Sequence, residues 1–293
     1  MILFLINPLS GGKKAKRTFR QFLHFAQLNN LSFNAYETLQ SKDYKGIKTV
    51  FDTCQPKLVV SCGGDGTAND VVNALYRPAN KNQTPLLVLP AGSGNDFSTQ
   101  LYGKKRPEEL FSLCLKHTLR KVDLGLCNEH IFLNGIGIGF DGSIAQYTSS
   151  NSNRFLPTSF KYYLAIFKNI FFYNEFDYHT SENQATRKGF IVAISNGNSY
   201  GGGFKIAPKA LLDDGLLEVV EIGAVAKFKR SFYIPKVEQG KHLNLSFVSH
   251  HQTQQIAIKA TGVNKLQAHA DGEHFEANDF KIEVLQGALP VPV

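Results

Sequence analysis

Residues 58 to 75, LVVSCGGDGTANDVVNAL, constrain the fold more than any other stretch of the chain. Leu58 to Ser61 form a short apolar, β-branched run, the pattern of a buried parallel strand. It stops at Gly63 and Gly64, where the chain can turn tightly with positive φ. A helix is expected next: Thr67 followed three residues later by Asp70 fits a capping box, and Val71, Val72 and Leu75 supply an apolar face. Strand, glycine turn and helix N-terminus together aim backbone N–H groups and the positive end of a helix dipole at the turn, where phosphates bind. Asp65 inside that turn would repel phosphate unless it holds a Mg²⁺ or bonds a nucleotide's sugar or the attacking water. For GGDG alone, the alternative is a βα turn whose glycines only satisfy packing.

The same pattern recurs along the first half. Ile2 to Ile6 read as a buried strand followed by NPLSGGKKAKR, in which Asn7, Pro8 and Ser10 are turn formers, Gly11 and Gly12 are flexible, and Lys13, Lys14, Lys16 and Arg17 open a helix. Cations at a helix N-terminus oppose the dipole by a few tenths of a kcal/mol each, roughly, so an anion beside them would fit. A solvated basic face is the competing reading, most of all for Lys16 and Arg17. The helix through Phe19, Phe22, Leu23, Ala26 and Leu28 leads to a strand around Leu31 to Tyr36, with Thr38 at its end. TPLLVLPAGSGNDF is again an apolar strand stopped by Pro90 and glycines, with Ser93 and Asp96 at capping-box spacing. Three strand ends, each carrying Gly with Ser or Thr, predict a nucleotide cleft along the carboxyl edge of a parallel α/β sheet. It is not a Walker A loop, because GxxxxGK[ST] occurs nowhere.

After a helix expected near Pro107 to Leu119 the texture changes. VDLGLCN, HIFLNGIGIGF, GFIVAISN, LLEVVEI, QQIAIKA, NKLQAHA and FKIEVL are alternating or apolar runs of strand length, and helical patterns nearly vanish after residue 173. The expected architecture is an N-terminal three-layer α/β domain with a mostly parallel sheet, residues 1–123, and a C-terminal antiparallel β-sandwich, 124–279. The last strand, about 280–293, is expected to pack back onto the first domain. With 293 residues, 43% of them hydrophobic, such a chain can bury two cores.

The net charge of +8 favours anionic partners: nucleotide phosphates, acidic lipid headgroups or nucleic acid. No recognised nucleic-acid module supports the last of these. Cys54, Cys62, Cys114 and Cys127 show no CxxC or zinc-finger spacing and read as reduced cytosolic thiols. MILFLI lacks a basic flank and reads as a first strand, and no run reaches the roughly 18 apolar residues of a membrane span, so a soluble protein, at most peripheral to a membrane, is expected.

Several stretches of the second half have two readings. GIGFDG, Gly137 to Gly142, matches GxGxxG but lacks a βαβ context, which argues against a dinucleotide fingerprint. FKYYLAIFKNIFFY, Phe160 to Tyr173, is either a core helix or a surface helix that meets lipid with its lysines at headgroup level. Three successive glycines in SNGNSYGGGFKIAP require a tight turn or a close approach. LLDDGLLEV is an Asp-Gly hairpin, or an oxygen site for a hard cation at Asp214. HADGEHF is likewise a hairpin turn, or a pair of carboxylates, Asp271 and Glu273, able to abstract and steer a proton.

NPLSGG at 7–12, GGDGTANDVVNAL at 63–75, PAGSGNDF at 90–97, NGIGIGFDG at 134–142, NGNSYGGGFKIAP at 196–208, LLDDGLLEV at 211–219 and ADGE at 270–273 stand in one order over nearly the whole chain. This ordered set resembles the diacylglycerol kinase catalytic family, in particular the bacterial soluble lipid kinases. GGDGT by itself is less specific, since it also occurs in NAD kinases and is similar to the phosphofructokinase turn.

The resemblance implies ATP and Mg²⁺ bound in a cleft between an α/β domain and a β-sandwich, with a lipid hydroxyl entering from the sandwich side. It places Asn7, Ser10, Gly11, Thr38, Gly64, Asp65, Gly66, Thr67 and Ser93 on the nucleotide, Ser93 standing where the family often has Thr. Asp65, Asp96 and Asp123 would hold the catalytic Mg²⁺ directly or through water, with a lysine of the 13–16 group nearby. Leu211, Asp214 and Leu216 match a structural Mg²⁺ site, the leucines acting through their carbonyls. Glu273 or Asp271 would be the proton acceptor. The expected reaction is transfer of the ATP γ-phosphoryl group to a lipid hydroxyl, diacylglycerol to phosphatidate, by a cytoplasmic protein peripheral at an anionic membrane surface; a homodimer is compatible with the sequence. A soluble-substrate kinase of the NAD kinase type and a non-catalytic nucleotide- or lipid-binding module are the alternatives.

Overall fold

A computed structural model describes residues 1–38, 42–80, 82–150, 158–262 and 265–293; the side chains at 149–150 and 158–163 lie outside that description. In chain order the elements are β1 (Ile2–Ile6), α1 (Lys14–Leu28), β2 (Phe33–Glu37), α2 (Tyr44–Cys54), β3 (Leu58–Gly63), α3 (Asp65–Leu75), β4 (Leu86–Pro90), α4 (Asp96–Tyr102), α5 (Pro107–Leu110) and β5 (Leu119–Cys127). They continue with β6 (His130–Phe132), β7 (Gly135–Gly139), α6 (Phe140–Ser150), α7 (Thr158–Asn169), β8 (Phe176–Thr180), β9 (Arg187–Ser195), β10 (Leu217–Gly223) and α8 (Arg230–Glu238). The last five strands are β11 (Val248–Thr253), β12 (Gln255–Ala260), β13 (Leu266–Ala270), β14 (Glu273–Ala277) and β15 (Asp279–Pro292). Two compact units result, Met1–Leu124 with Gln286–Val293, and Gly125–Leu285.

In the first unit β1 to β4 form a parallel sheet of order β2-β1-β3-β4. β1, β3 and β4 are almost wholly apolar because both their faces are covered, whereas the edge strand β2, FNAYE, is partly exposed. Phe4, Val60, Cys62, Leu87 and Leu89 share one core with Phe22 and Ala26 of α1 and Leu110 of α5. The alternate residues Leu3, Leu5, Val59 and Leu86, all fully buried, face the other side, where α2 and α3 lie against β1 and β3. α1 forms because Ala15, Thr18, Phe22 and Ala26 recur at helical spacing on one buried stripe, and Phe22 meets Phe4 with ring centroids 4.4 Å apart. This is the expected three-layer α/β arrangement. β1 leads to β2 on one side and β3 leads to β4 on the other, so the strand order reverses between β1 and β3. Their carboxyl ends therefore open a crevice, the usual place for a ligand in such sheets.

The second unit is built on an antiparallel sheet in which β7, β8, β9, β10, β12 and β13 all pair antiparallel with their neighbours. Period-two alternation divides its side chains between two cores. Ile136, Ile138, Val192, Ile194, Leu217, Val219, Ile256, Ile258 and Phe280 meet in one. Ala193, Val220 and Ile222 face the other, which is completed by Ile144 of α6, Ile166 of α7 and Phe204 and Ile206 of the following loop.

Two helical expectations change. The helix expected near Pro107 to Leu119 ends at Leu110 and tightens into a 3₁₀ turn, Phe111–Leu115, and α8 follows residue 173 where helical patterns were expected to vanish. α8 escapes the sequence pattern because it carries Pro235 in its interior and exposed Phe232 on its surface. Within the stretch 160–173, Ala165, Ile166 and Ile170 are buried while Leu164, Phe167, Phe171 and Phe172 are exposed; the side chains at 160–163 lie outside the described residues. The stretch is thus a core helix on one face and an exposed surface on the other. Burial pushes the thiols of Cys62, Cys114 and Cys127 up to about 12, and all four cysteines are free, so the buried ones are unreactive packing residues. Among the described residues no helix is long and apolar enough to cross a membrane.

Candidate active site

The first unit brings three loops to one edge of its sheet. In the register Ile6 lies opposite Cys62 and Glu37, and Gly63 opposite Pro90, so the chain leaves β1, β2, β3 and β4 at one level. Asn7 stays there by donating its N–H to Cys62 O at 3.1 Å and by accepting Leu9 N–H on its side chain at 3.1 Å. Ser10 N–H closes the turn on Asn7 O at 3.1 Å, and Thr38, buried, donates its N–H to Ile6 O at 2.9 Å. The glycines are needed for main-chain contact. A Cβ at Gly11, whose φ is +57°, would sit 2.3 Å from Ala91 O, and one at Gly92 would sit 2.3 Å from Gly64 Cα. The three loops therefore touch through backbone. No side chain fits between them.

Asp65 ties two of these loops together. Its Oδ2 accepts Asn95 N–H at 2.7 Å and Asp96 N–H at 3.1 Å, and its Oδ1 accepts Phe97 N–H at 3.1 Å. These are orphan donors at the start of α4, so Asp65 caps that helix from 30 residues away. The two helices do not start with the capping boxes expected from local spacing. α3 begins at Asp65 with Gly64 as its N-cap, so Thr67 lies inside the helix, buried, with its N–H on Gly64 O at 3.0 Å. α4 begins at Asp96 with Asn95 in left-handed conformation and no side-chain cap of its own, leaving Ser93 exposed in the loop. Asn95 instead closes that loop, accepting Gly92 N–H at 2.8 Å and donating to Gly92 O at 3.0 Å. Beside it a groove of about 530 Å³ is lined by Lys14, Arg17, Lys104, Lys105 and Arg106, a concentration of cations suited to anionic ligands.

The expected metal ligands are hard oxygen donors. Asp96 opens α4 in a buried position next to Asp65, and Asp123 accepts Gly287 N–H on Oδ1 at 2.7 Å. No group of three or more potential ligands is preassembled among the described residues. That is compatible with Mg²⁺, which keeps several waters and needs only one or two carboxylates besides substrate phosphates. Asp214 forms an Asx turn, its Oδ1 accepting Leu216 N–H at 3.1 Å across Gly215, with Leu211 exposed nearby in sequence.

The second unit organises its carboxylates around the β13–β14 hairpin. Ala270 pairs with Glu273, leaving Asp271 (φ 47°) and Gly272 (φ 88°) as a two-residue turn with both φ positive. Asp271 reaches back to the start of β7: Oδ2 accepts Leu133 N–H at 2.6 Å, and Oδ1 accepts Asn134 N–H at 2.9 Å and Gly135 N–H at 3.1 Å. Both its oxygens are thus committed to main-chain donors, while Glu273 is half-buried at the head of β14.

Three residues that sequence reasoning did not single out hold this hairpin. His269 Nδ1 accepts Gly272 N–H at 3.2 Å, which leaves the ring proton on Nε2, 3.3 Å from Asp141 Oδ2. Tyr200 OH donates to the same oxygen at 2.7 Å. Their signals were present: Asp141 belongs to GIGFDG and His269 to HADGEHF, but only topology brings them together. That topology also explains the glycines of GIGFDG. A Cβ at Gly137 would meet Asp141 Oδ2 at 2.5 Å and His269 Nε2 at 2.7 Å, so glycine makes room for the pair, in antiparallel β7 and not in a βαβ unit. Asp141 and Tyr200, with Arg230 and His242, are polar groups in the lining of an apolar cavity of about 80 Å³, whose walls include Ile166, Ile170, Phe204 and Ile234.

A glycine-rich edge in a parallel α/β unit, followed by an antiparallel β unit with carboxylates on a hairpin, is an arrangement compatible with a phosphotransferase. The comparisons with known proteins make this specific. Residues 1–127 match the diacylglycerol kinase catalytic domain, and 134–293 match the YegS C-terminal NAD kinase beta sandwich-like domain. The chain belongs to the lipid kinase family that these two domains define, and it is a kinase. It is 28% identical over 234 residues to the "Probable lipid kinase YegS-like" of Shewanella frigidimarina, covering 79% of this chain and 74% of that one. It is 24% identical over 281 residues to the diacylglycerol kinase of Staphylococcus haemolyticus, covering 92% and 81%. In fold it is similar to a crystal structure of a diacylglycerol kinase from Bacillus anthracis, with a TM-score of 0.72 and 21% identity over 99% of this chain and 96% of the other.

Proposed function

We propose that this protein transfers the γ-phosphoryl group of ATP to the hydroxyl of a membrane lipid, diacylglycerol giving phosphatidate. The observation that carries the lipid reading is the apolar cavity, whose lining includes Asp141, joined through His269 to the hairpin bearing Glu273. Its lining suits hydrocarbon, whereas a dinucleotide acceptor needs polar partners; at about 80 Å³ it holds a few methylene groups, so a full acyl tail would have to widen it.

In this reading the loops around Asn7, Ser10, Gly11, Thr38, Gly64, Gly66, Thr67 and Ser93 hold the nucleotide. The α3 N-terminus offers its N–H groups to phosphate oxygens. Glu273 is the base and Asp271 a positioning residue, because the Asp271 carboxylate is occupied by three backbone donors. The lipid oxygen attacks the γ-phosphorus in line, its proton passes to Glu273, and the bond to the bridging oxygen breaks to release ADP. Asp96 and Asp123 would hold Mg²⁺, and Asp65, whose oxygens already accept three backbone N–H groups, would reach it through water, with Leu211, Asp214 and Leu216 at a second, structural site. Bound at the first, the ion would neutralise charge developing on the phosphoryl oxygens.

The test is transfer of labelled γ-phosphate from ATP and Mg²⁺ to diacylglycerol, sphingosine, phosphatidylglycerol and NAD. Labelled diacylglycerol, lost in Glu273→Gln, is the expected result. Label on NAD alone would replace this reading with a soluble-substrate kinase, and no label on any acceptor despite ATP binding would replace it with a binding module.

A further inference from the structure

We propose that the basic groove between α1 and the loop ahead of α5 is a second anion site, taking a water-soluble ligand that carries a chain of two or more phosphates; it goes beyond the lipid-kinase reading and does not rest on it. Charge is divided unequally along the chain. Met1–Leu124 with Gln286–Val293 hold 17 Lys and Arg against 9 Asp and Glu, whereas Gly125–Leu285 hold 15 of each. The whole net charge of +8 therefore belongs to the first unit, where no Asp or Glu precedes Glu37. An excess placed in this way draws anionic partners to that unit.

The groove collects part of this excess on two walls. Lys14 and Arg17 stand one helical turn apart on α1, and Lys104, Lys105 and Arg106 belong to the loop between α4 and α5. Thr18, only 2% exposed, and Asn95 add polar groups to the lining. Among the described residues the ion pairs here are those of Arg106, with Glu108 at 3.6 Å and Glu109 at 3.2 Å. Lys14, Arg17, Lys104 and Lys105 are left without a carboxylate. Cations gathered in one groove repel one another, and an anion that reaches both walls relieves that repulsion. A groove of about 530 Å³ has room for a small ligand larger than a lone ion, and a chain of phosphates brings several charged oxygens to ammonium groups and to the guanidinium fork together.

The lining argues against other anionic partners. Its apolar side chains are those of Pro90 and Pro107, and it contains no aromatic ring. A face that lies on a bilayer needs apolar anchors, and single-stranded nucleic acid needs aromatic platforms on which its bases stack. The groove offers neither. It is also separate from the nucleotide edge, because none of the residues placed on the nucleotide lines it. The two are neighbours all the same: Gly94 and Asn95 belong to the groove, and Asn95 N–H is held by Asp65 Oδ2 at 2.7 Å.

The test titrates the full chain calorimetrically with tripolyphosphate, pyrophosphate and inorganic phosphate, and locates the site by acetylating lysines with and without tripolyphosphate and reading the products by mass spectrometry. The native protein is compared with Arg17→Gln and Lys104→Gln/Lys105→Gln, each checked for native thermal unfolding. Tripolyphosphate should bind tightest and inorganic phosphate weakest, and binding should weaken with salt. Its Kd should rise about tenfold in either variant, the worth of a lost charge-assisted bond. Bound tripolyphosphate should shield Lys14, Lys104 and Lys105 from acetylation while Lys57 and Lys188, outside the groove, react as before. No binding, inorganic phosphate binding as tightly as tripolyphosphate, shielding spread evenly over all lysines, or variants that bind as the native does would each overturn the proposal. Variants that lose phosphatidylglycerol vesicles but keep tripolyphosphate would replace it with a membrane face. Phosphoryl transfer to diacylglycerol is scored separately: its absence with shielding intact overturns the lipid-kinase reading alone, and its presence without shielding overturns the groove alone.

Discussion

Asp65 in the first unit and Asp271 in the second use one device: a carboxylate that collects three consecutive backbone N–H groups from a distant segment. The difference lies in what each binds. Asp65 caps a helix, joining the GGDGT loop to the GSGND loop, whereas Asp271 sits in a left-handed turn and fastens a hairpin to the strand beside it. The first thereby sets the spacing of two glycine-rich loops. The second sets the position of its neighbour Glu273. An aspartate within a catalytic motif can thus act by shaping backbone, and the acidic residue beside it can be the one that reacts.

Substitutions should break or sharpen this contrast. The largest effect is expected for Glu273→Gln, a fall in kcat of roughly 10² to 10⁴ with a native urea midpoint. Near-native turnover would shift the base to another residue. Asp65→Asn and Asp271→Asn should each lose about 1–3 kcal/mol of stability, because an amide can no longer satisfy all three donors. Their kinetics should differ, Asp65→Asn raising KM for ATP as well as lowering kcat, Asp271→Asn lowering kcat alone. Equal rises in KM for ATP would erase the distinction. His269→Gln should reduce kcat by about tenfold, since it loosens the hairpin without removing the carboxylates, and the fall should appear at every pH if the ring acts by position. Ser93→Ala should cost only a few-fold, roughly the worth of one neutral hydrogen bond.

The smallest effect concerns pH. Burial holds the imidazole of His242 below its ordinary value, against a backbone bond to Ile206 O that raises it. Folding therefore disfavours its protonated form. Its contribution to stability is complete above the unfolded pKa, about 6.5, and declines as pH falls below it. Urea midpoints measured across that range should show a shallower acid limb for His242→Asn than for the native protein.

The parallel sheet was legible because β1, β3 and β4 are buried on both faces and end at glycines, so their sequences read as short uninterrupted apolar runs. The change to antiparallel strands was legible for the complementary reason, alternation. Helix starts were misread at Thr67, because α3 begins two residues earlier with Gly64 as its N-cap, and at Ser93, because the cap of α4 arrives from another loop. The role of Asp271 as a backbone acceptor was closed to sequence reasoning on the same account, since its donors lie about 137 positions away in the chain. Asp141 and His269 sat inside two motifs already noticed, but no spacing rule connects residues 141 and 269.

Where Gly11 meets Ala91 and Gly64 meets Gly92, main chain rests on main chain. The width of this glycine edge is then set by the thickness of the polypeptide itself, and a single methyl at Gly92 would have to pry the loops apart. Any redesign of nucleotide preference is therefore better directed at the side chains around the rim than at the loops that define the gap.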